Sequence, residues 1–371
     1  MLNEEIEKAQ RHVRTDAYQM SVGEIVGMYD SDELVVDPEF QRLFRWTIGQ
    51  KSKLIESLLL GIPLPSIFVF EREDGTWELV DGLQRLSTII EFMGRLRDPE
   101  GGLLPPSVLE ATKYLPSLHN SVWEKSDVIT EIPVKEQRPI DKTQQLAIRR
   151  GRIGVEILKR PSDENTKYDL FQRLNAGGTQ ANAQELRNCI MLMVNAPYFR
   201  SIKSCAEKEA FKRVMAVSEE QTERQRHIEL LTRFLVHVNV PYDGILDVEE
   251  YIDEGIVKLA RAGKRTLATK LIDSTFALLD EVAAGDALRR YQEGDFVGKA
   301  GLVGLEGIAV GVGKNIDAIL ALGKTKAKKF VEKQIKSFWA QTENATFTSP
   351  GLRGTIRIQR TVPFGEKWFK P

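Results

Sequence analysis

Cysteine and histidine are scarce in this 371-residue chain, with two of the first and four of the second. Cys189 and Cys205 are too few for a disulfide framework and too far apart for a CxxC redox or zinc motif, so both read as reduced core thiols. His12, His119, His227 and His237 never meet a second histidine or a cysteine at a metal-ligand spacing, and no zinc site is expected. Long apolar runs are missing too. The longest, around 301–313, is interrupted by Glu306 and five glycines, short of the roughly 18 continuous apolar residues a membrane span needs. The opening residues, Met1-Leu2-Asn3-Glu4-Glu5-Ile6-Glu7, are acidic where a secretory signal is basic and then apolar. The expectation is a cytoplasmic protein with no membrane partner.

What is present suits a soluble chain with a sizeable core: 42% hydrophobic and 28% charged residues over a length that favours two domains. The net charge of −1 gives no global pull on nucleic acid, but the charge is unevenly placed. Residues 324–371 hold eight Lys and three Arg against three Glu, a net +8. Trp339, Phe347, Trp368 and Phe369 lie among those cations, so the basic tail from 324 is the candidate contact for DNA. An acidic partner protein and a plain solvated face stay open beside it.

Along the chain, residues 3–18 carry helical spacing, and Ser21-Val22-Gly23-Glu24 predicts a capped second helix. Leu34-Val35-Val36 predicts a strand. Leu54 to Gly61 reads as a helix closed by glycine, which Pro63 and Pro65 prevent from continuing. Ser66–Phe70 and Thr76–Val80 flank Asp74-Gly75 as a hairpin. It delivers the chain into a helix over Leu83–Met93, whose apolar positions 83, 86, 89, 90 and 93 form one stripe. Residues 98–126 read as a loop-dominated insertion, Ile153–Leu158 as a strand, and Tyr168–Leu174 and Ala183–Val194 as helices. From 196 onward the periodic runs near 223–238, 247–262, 265–283, 303–322 and 325–340 are helical. The reading is α+β: a mixed α/β domain over 1–195, then an all-α domain over 196–371.

Three constellations carry candidate chemistry. Asp81-Gly82-Leu83-Gln84-Arg85-Leu86 sits where a strand turns into a helix, a place where free amides and the helix dipole favour phosphate. Gly82 permits close approach, Arg85 adds a charged donor, Asp81 suits Mg²⁺ and Gln84 suits an attacking water. A bland account stands beside it: Asp81 as N-cap, Gln84 as its capping-box partner, and Arg85 in an i,i+4 pair with Asp81. The second, Asp37 to Trp46, places Arg42 and Arg45 among Phe40, Phe44 and Trp46, suited to clamping a base and its phosphates or to anchoring a core. The third runs Phe171-Gln172-Arg173-Leu174-Asn175-Ala176-Gly177-Gly178, followed by Glu185-Leu186-Arg187-Asn188; its Gly-Gly turn needs no function to explain it.

Taken in order, Pro38-x-Phe40-Gln41-Arg42-x-Phe44-x-Trp46, then Leu54 to Pro65, Val80-Asp81-Gly82-x-Gln84-Arg85-Leu86, Phe171-x-Arg173-Leu174-Asn175-x-x-Gly178 and Glu185-Leu186-Arg187-Asn188 resemble the GmrSD N-terminal-domain family over roughly 20–195. The resemblance implies a ParB/sulfiredoxin-like fold and NTP binding and hydrolysis, with Mg²⁺, in modification-dependent restriction and antiphage defence. It places Asp81, Gln84 and Arg85 as catalytic residues and Asp81 as the metal ligand. It places Arg42, Arg45, Gly82, Arg85, Arg173 and Asn175 around the nucleotide. Leu83 stands where the family carries a polar residue, a departure compatible with binding and adverse to hydrolysis.

Other signals are weaker. No HNH motif on a ββα metal finger is read: His119-Asn120 lies in the loop-rich insertion, and the C-terminal half offers only His227 and His237. Arg233 and His237 resemble the pair of helical ribonucleases, one residue too close together. Gly311-Val312-Gly313-Lys314-Asn315 fails as a P-loop, because Ile308 stands at the first glycine and Asn315 at the Ser/Thr. The expectation is a protein whose nucleotide state controls the helical domain or a partner effector. The alternative is a non-catalytic regulatory or DNA-binding subunit.

Overall fold

The computed structural model describes residues 14–36, 46–98, 100–159, 183–223, 225–349 and 351–371. Two compact units divide at Ala181/Asn182. The first holds a five-stranded mixed sheet of β1 (Arg14–Ser21), β2 (Leu34–Val35), β3 (Ile67–Glu71), β4 (Trp77–Asp81) and β5 (Arg152–Lys159), in the order β1-β5-β3-β4-β2. β1 runs antiparallel to β5, β5 parallel to β3, β3 antiparallel to β4, and β4 parallel to β2.

The expected hairpin is therefore β3–β4, turned at Gly75 with φ +84. The helix expected over 3–18 is corrected where it is described: residues 14–18 are strand. All eight residues of β1 pair with β5, from Arg14 opposite Lys159 to Ser21 opposite Arg152. Tertiary pairing with a buried strand overrides the weak local helical pattern.

Four helices, α1 (Val22–Asp30), α2 (Ile48–Leu59), α3 (Leu83–Phe92) and α4 (Lys142–Arg150), contribute to one core with the sheet. Val22, Ile25 and Val26 of α1, Ile55 of α2, Ile89 and Ile90 of α3 and Ile148 of α4 meet Ile67, Val69, Val155 and Ile157 there. The strand residues alternate, so one face of β3 and β5 supplies the set. The loop-dominated insertion is packed in as well: Leu109, Leu118 and Trp123 join the same core. Glu56, buried on α2, anchors it by accepting the backbone N–H groups of Tyr114 and Leu115 at 3.0 Å each.

The second unit is helical, led by α5 (Ala183–Ala206). The domain boundary expected near Asn195 falls inside this element, at a kink where Asn195 leaves helical geometry (φ −162, ψ 85) ahead of Pro197. Proline has no N–H for the preceding turn, and the Asn195 side chain restarts the helix by accepting the Tyr198 N–H at 3.0 Å. The chain thus signals a break at 195, but the compact units part earlier.

Short α6 (Glu209–Met215) and α7 (Glu219–Glu223) precede α8 (Arg226–Asn239), α9 (Val248–Ala262) and α10 (Arg265–Ala283). Phe276 of α10 packs edge-on against Phe211 of α6 and Phe234 of α8, at 4.7 and 5.0 Å between centroids. The expectation of an all-α domain needs one correction. β6 (Arg290–Gln292) and β7 (Asp295–Val297) form a hairpin, because Glu293 and Gly294 take positive φ (54 and 91) in its two-residue turn.

The expected 303–322 helix is interrupted: α11 (Leu302–Gly304), a π turn over Leu305–Ala309, α12 (Val310–Lys314) and α13 (Ile316–Ala321) follow one another. α14 (Lys324–Phe338) and α15 (Gly354–Trp368) complete the unit. The glycines that imitate a P-loop are packing points of α12: Gly313 against Phe234 of α8 and Gly311 against α15, which in turn meets the π turn through Gly365. A Cβ on Gly311 would lie 2.5 Å from the Gly365 carbonyl oxygen, and one on Gly365 2.1 Å from that of Gly307.

Candidate functional site

The Asp81–Arg85 turn joins β4 to α3. Gly82 is the N-cap residue of α3 with φ +94, a left-handed conformation that L side chains rarely adopt. Space excludes a side chain as well, since a Cβ there would lie 2.4 Å from Ile67 Cγ2. Glycine at this position is a requirement of the turn.

The bland account divides here. Its ion pair is present: Arg85 Nη2 donates to Asp81 Oδ2 at 2.8 Å, while Nη1 donates to the Pro65 carbonyl at 2.8 Å. Its capping box is not. α1, α2 and α4 each begin with a complete reciprocal box, Ser21 with Glu24, Thr47 with Gln50 and Asp141 with Gln144. α3 begins with no side-chain cap at all. No side chain in the cap position competes there for a ligand's oxygens.

Gln84, expected to close a box with Asp81, instead reaches across to the end of the arginine-bearing segment. Its Oε1 accepts the Trp46 backbone N–H at 3.1 Å. Two of the three sequence constellations, separated by 38 residues, are thus joined at one point. Arg42, Arg45, Arg173 and Asn175 lie outside the described residues, as does the helix expected over 168–174.

Among the described residues no three His, Cys, Asp or Glu side chains converge to hold a metal. Asp81 has one carboxylate oxygen on Arg85 and its Oδ1 available. A single carboxylate does not select zinc or calcium, but it fits Mg²⁺, which keeps waters and leans on substrate phosphates.

A second polar cluster was not anticipated. Arg187, 1% exposed on α5, donates to Asp253 at 2.5 Å and to Glu249 on α9, while Arg233 on α8 bridges Glu249 at 2.5 Å and Glu229 at 3.0 Å. Burial pushes the Asp253 carboxyl up despite Arg187. Burial would also raise Glu249, but hydrogen bonds from Arg187 and Arg233 outweigh it and hold the carboxyl low. The sequence signal was present in the i,i+4 spacings Glu229/Arg233 and Glu249/Asp253. Arg187 itself belongs to the Glu185–Asn188 motif, and its described contacts are ion pairs within the second unit.

The Arg233/His237 pair does not form a ribonuclease-like site. Arg233 is held by carboxylates, and His237 is buried with neither ring nitrogen hydrogen-bonded, its ring stacked 5.6 Å from that of Tyr251. Burial, with Arg233, Arg357 and Lys314 adding to it, pushes the His237 imidazole down to about 3. The folded value lies below the unfolded one, so the unfolded chain gains a proton first as pH falls. Stability is intact above pH 6.5 and declines below it by about 1.4 kcal/mol per pH unit. His227, lowered by burial against the opposing pull of Glu207, acts in the same direction. Urea unfolding from pH 6.5 to 4.5 should show this decline, and His237→Leu should keep only the His227 share.

The tail's aromatic residues are not free to stack on bases. Phe338, Phe347 and Phe369 are buried, Phe364 lies 5.6 Å from both Phe338 and Phe347, and Trp368 donates its indole N–H to the Gln334 carbonyl at 3.1 Å. They form the core that seats α14 against α15.

No described helix is long and apolar enough to cross a membrane. The family model for the GmrSD restriction endonuclease N-terminal domain matches residues 22–192. No curated protein and no solved structure matches the chain.

Proposed function

We propose that the first unit, whose residues 22–192 match the family model of the GmrSD restriction endonuclease N-terminal domain, is a ParB-like nucleotide-handling domain of a restriction or antiphage system. It binds and hydrolyses a nucleoside triphosphate at the Asp81–Arg85 turn. The observation that carries this reading is the uncapped start of α3 at an obligatory glycine, with Gln84 tied to Trp46 at the end of the segment bearing Arg42 and Arg45.

The α3 amides receive phosphate oxygens, with the helix dipole in support. Arg85 supplies charge, already oriented by Pro65 and Asp81. Asp81 would hold Mg²⁺, which when bound would supply charge neutralisation for phosphoryl transfer. Gln84 positions the far wall through Trp46 and has its amide near the attacking water. The family resemblance assigns Arg42, Arg45, Arg173 and Asn175 to the nucleotide as well. The nucleotide state then controls the helical unit or a partner effector, and DNA is the expected macromolecular partner.

One observation favours a non-catalytic regulatory subunit as the second reading: Leu83 offers no polar group in the turn. Its side chain packs against the hydrophobic core of the unit, which supports a turn that is formed for binding whether or not turnover follows.

Titrating labelled ATP and GTP in the presence of Mg²⁺ tests the binding step. Losing a charge-assisted contact costs about 1.5–3 kcal/mol, so Arg85→Ala should weaken affinity roughly 10- to 100-fold with an unchanged melting temperature. Arg85→Lys should recover only part of it, because an ammonium cannot reach Pro65, Asp81 and phosphate together. A variant that melts early with no specific loss of affinity in its folded fraction would mean that Arg85 only braces the turn.

A further inference from the structure

We propose that one face of α14 is a sequence-independent docking strip for the phosphate backbone of duplex DNA. α14 is amphipathic in an unusual way. Ala327, Val331, Ile335 and Phe338 are buried. Opposite them, Lys326, Lys329, Lys333 and Lys336 fall within an arc of about 80° at 3.6 residues per turn. All four are exposed. At 1.5 Å per residue they span about 15 Å of helix.

Two neighbouring cations of the helix, and Lys336 of the face itself, are already engaged. Lys328 pairs with Glu281 at 2.6 Å, Lys324 with the same carboxylate at 3.6 Å, and Lys336 with Glu332 at 2.7 Å. Lys326, Lys329 and Lys333 have no ion pair among the described residues. Three adjacent, uncompensated ammonium groups on a rigid helix repel one another, and a row of phosphates relieves that repulsion.

The chemistry of the face selects among polyanions. It offers lysine alone, with no Arg, Asn or Gln set to read base edges, so it contacts backbone and carries no sequence code. Single strands are held largely by stacking on aromatic side chains; Phe338 and Phe347 are buried and Trp368 is bonded to Gln334, which leaves the half-buried Phe330 on α14 and Trp339 at its C-cap, too few for a stacking platform along the strip. An acidic protein partner would want a buried aromatic or apolar anchor at the centre of the contact, and the strip has none. The choice of DNA over RNA rests on the restriction-system reading of the first unit; phosphate docking by the strip does not.

The test is fluorescence anisotropy of the full chain with 24-base-pair duplexes of unrelated sequence, from 50 to 200 mM salt. Lys326→Gln, Lys329→Gln and Lys333→Gln are combined in one variant. The control removes the same charge elsewhere, at the exposed Lys53, Lys142 and Lys258. Each phosphate contact contributes about 0.9 to the slope of log K against log salt, so the α14 variant should lose about 2.7 from it and bind more than about tenfold more weakly. The control should match the wild type, and affinity should not follow sequence.

Equal binding by the α14 variant and wild type, or no wild-type binding at 50 mM salt, would overturn the proposal and leave a solvated face. Tighter binding to duplex RNA or to anionic lipid vesicles would overturn the choice of DNA. The titrations are made without nucleotide or Mg²⁺, so a failure of the nucleotide reading shows separately, in phosphate release.

Discussion

Alanine at Arg187 is expected to lower the unfolding free energy by about 3–5 kcal/mol, the range for breaking a buried ion pair from one side. The guanidinium is 1% exposed and ties α5 to α9 through Glu249 and Asp253. Its loss removes from Asp253 the guanidinium that holds its carboxyl down in a site where burial already raises it. Glu249 suffers less, because it is half exposed and keeps Arg233. The deficit should shrink toward pH 4: without Arg187 the Asp253 carboxyl has a folded value still further above its unfolded one, so it takes up a proton and its penalty fades as pH falls. Lysine should recover little, since a single ammonium cannot serve two carboxylates in the fork geometry. Chemical unfolding of the full chain at pH 7 and pH 4 measures both effects. A loss below about 1 kcal/mol at pH 7 would mean that the network contributes little, as exposed pairs do.

That residue shows where the chain could be read and where it could not. The Glu185–Asn188 motif was legible as a family signature, yet the work of Arg187 was not, because its partners stand 62 and 66 residues away on a helix whose acids look solvent-facing in one dimension. Local rules did well where the cause is local. The β3–β4 hairpin follows from strand residues about Asp74-Gly75, and α1 from Ser21 and Glu24. β1 was misread as helix because its strand state depends on β5, whose partner residues lie more than a hundred positions away. The basic tail was legible in charge, but not the inward turn of its aromatic residues, which needs α15 as a partner.

At the candidate site the sequence offered the Asp81–Arg85 residues with two rival geometries. Asp81 and Gln84 stand three apart, as in a capping box, and only Gly82 in a left-handed conformation removes that option by taking the cap position itself. Gln84 is then released to meet Trp46, a contact across 38 residues that no local rule foresees. The site is thus a turn from which the ordinary cap is missing, in a unit where the other helices of comparable length have theirs.

The second large effect expected is on turnover. Asp81 orients Arg85 and, on the proposed function, is the carboxylate that would hold Mg²⁺. Alanine there removes the metal ligand and frees the guanidinium together, which should lower the rate of phosphate release by more than about 100-fold, given that metal and arginine clamps on a transferring phosphoryl group each contribute several kcal/mol. Packing should be little disturbed, because Asp81 is part-exposed and lies at the end of β4.

Phosphate release from each nucleoside triphosphate, with and without DNA and Mg²⁺, comparing the intact chain with Asp81→Ala, therefore tests the account most directly. The account predicts Mg²⁺-dependent release by the intact chain that disappears in the variant. Release that persists undiminished in Asp81→Ala, or no release by the intact chain under any of these conditions, would contradict hydrolysis at this turn.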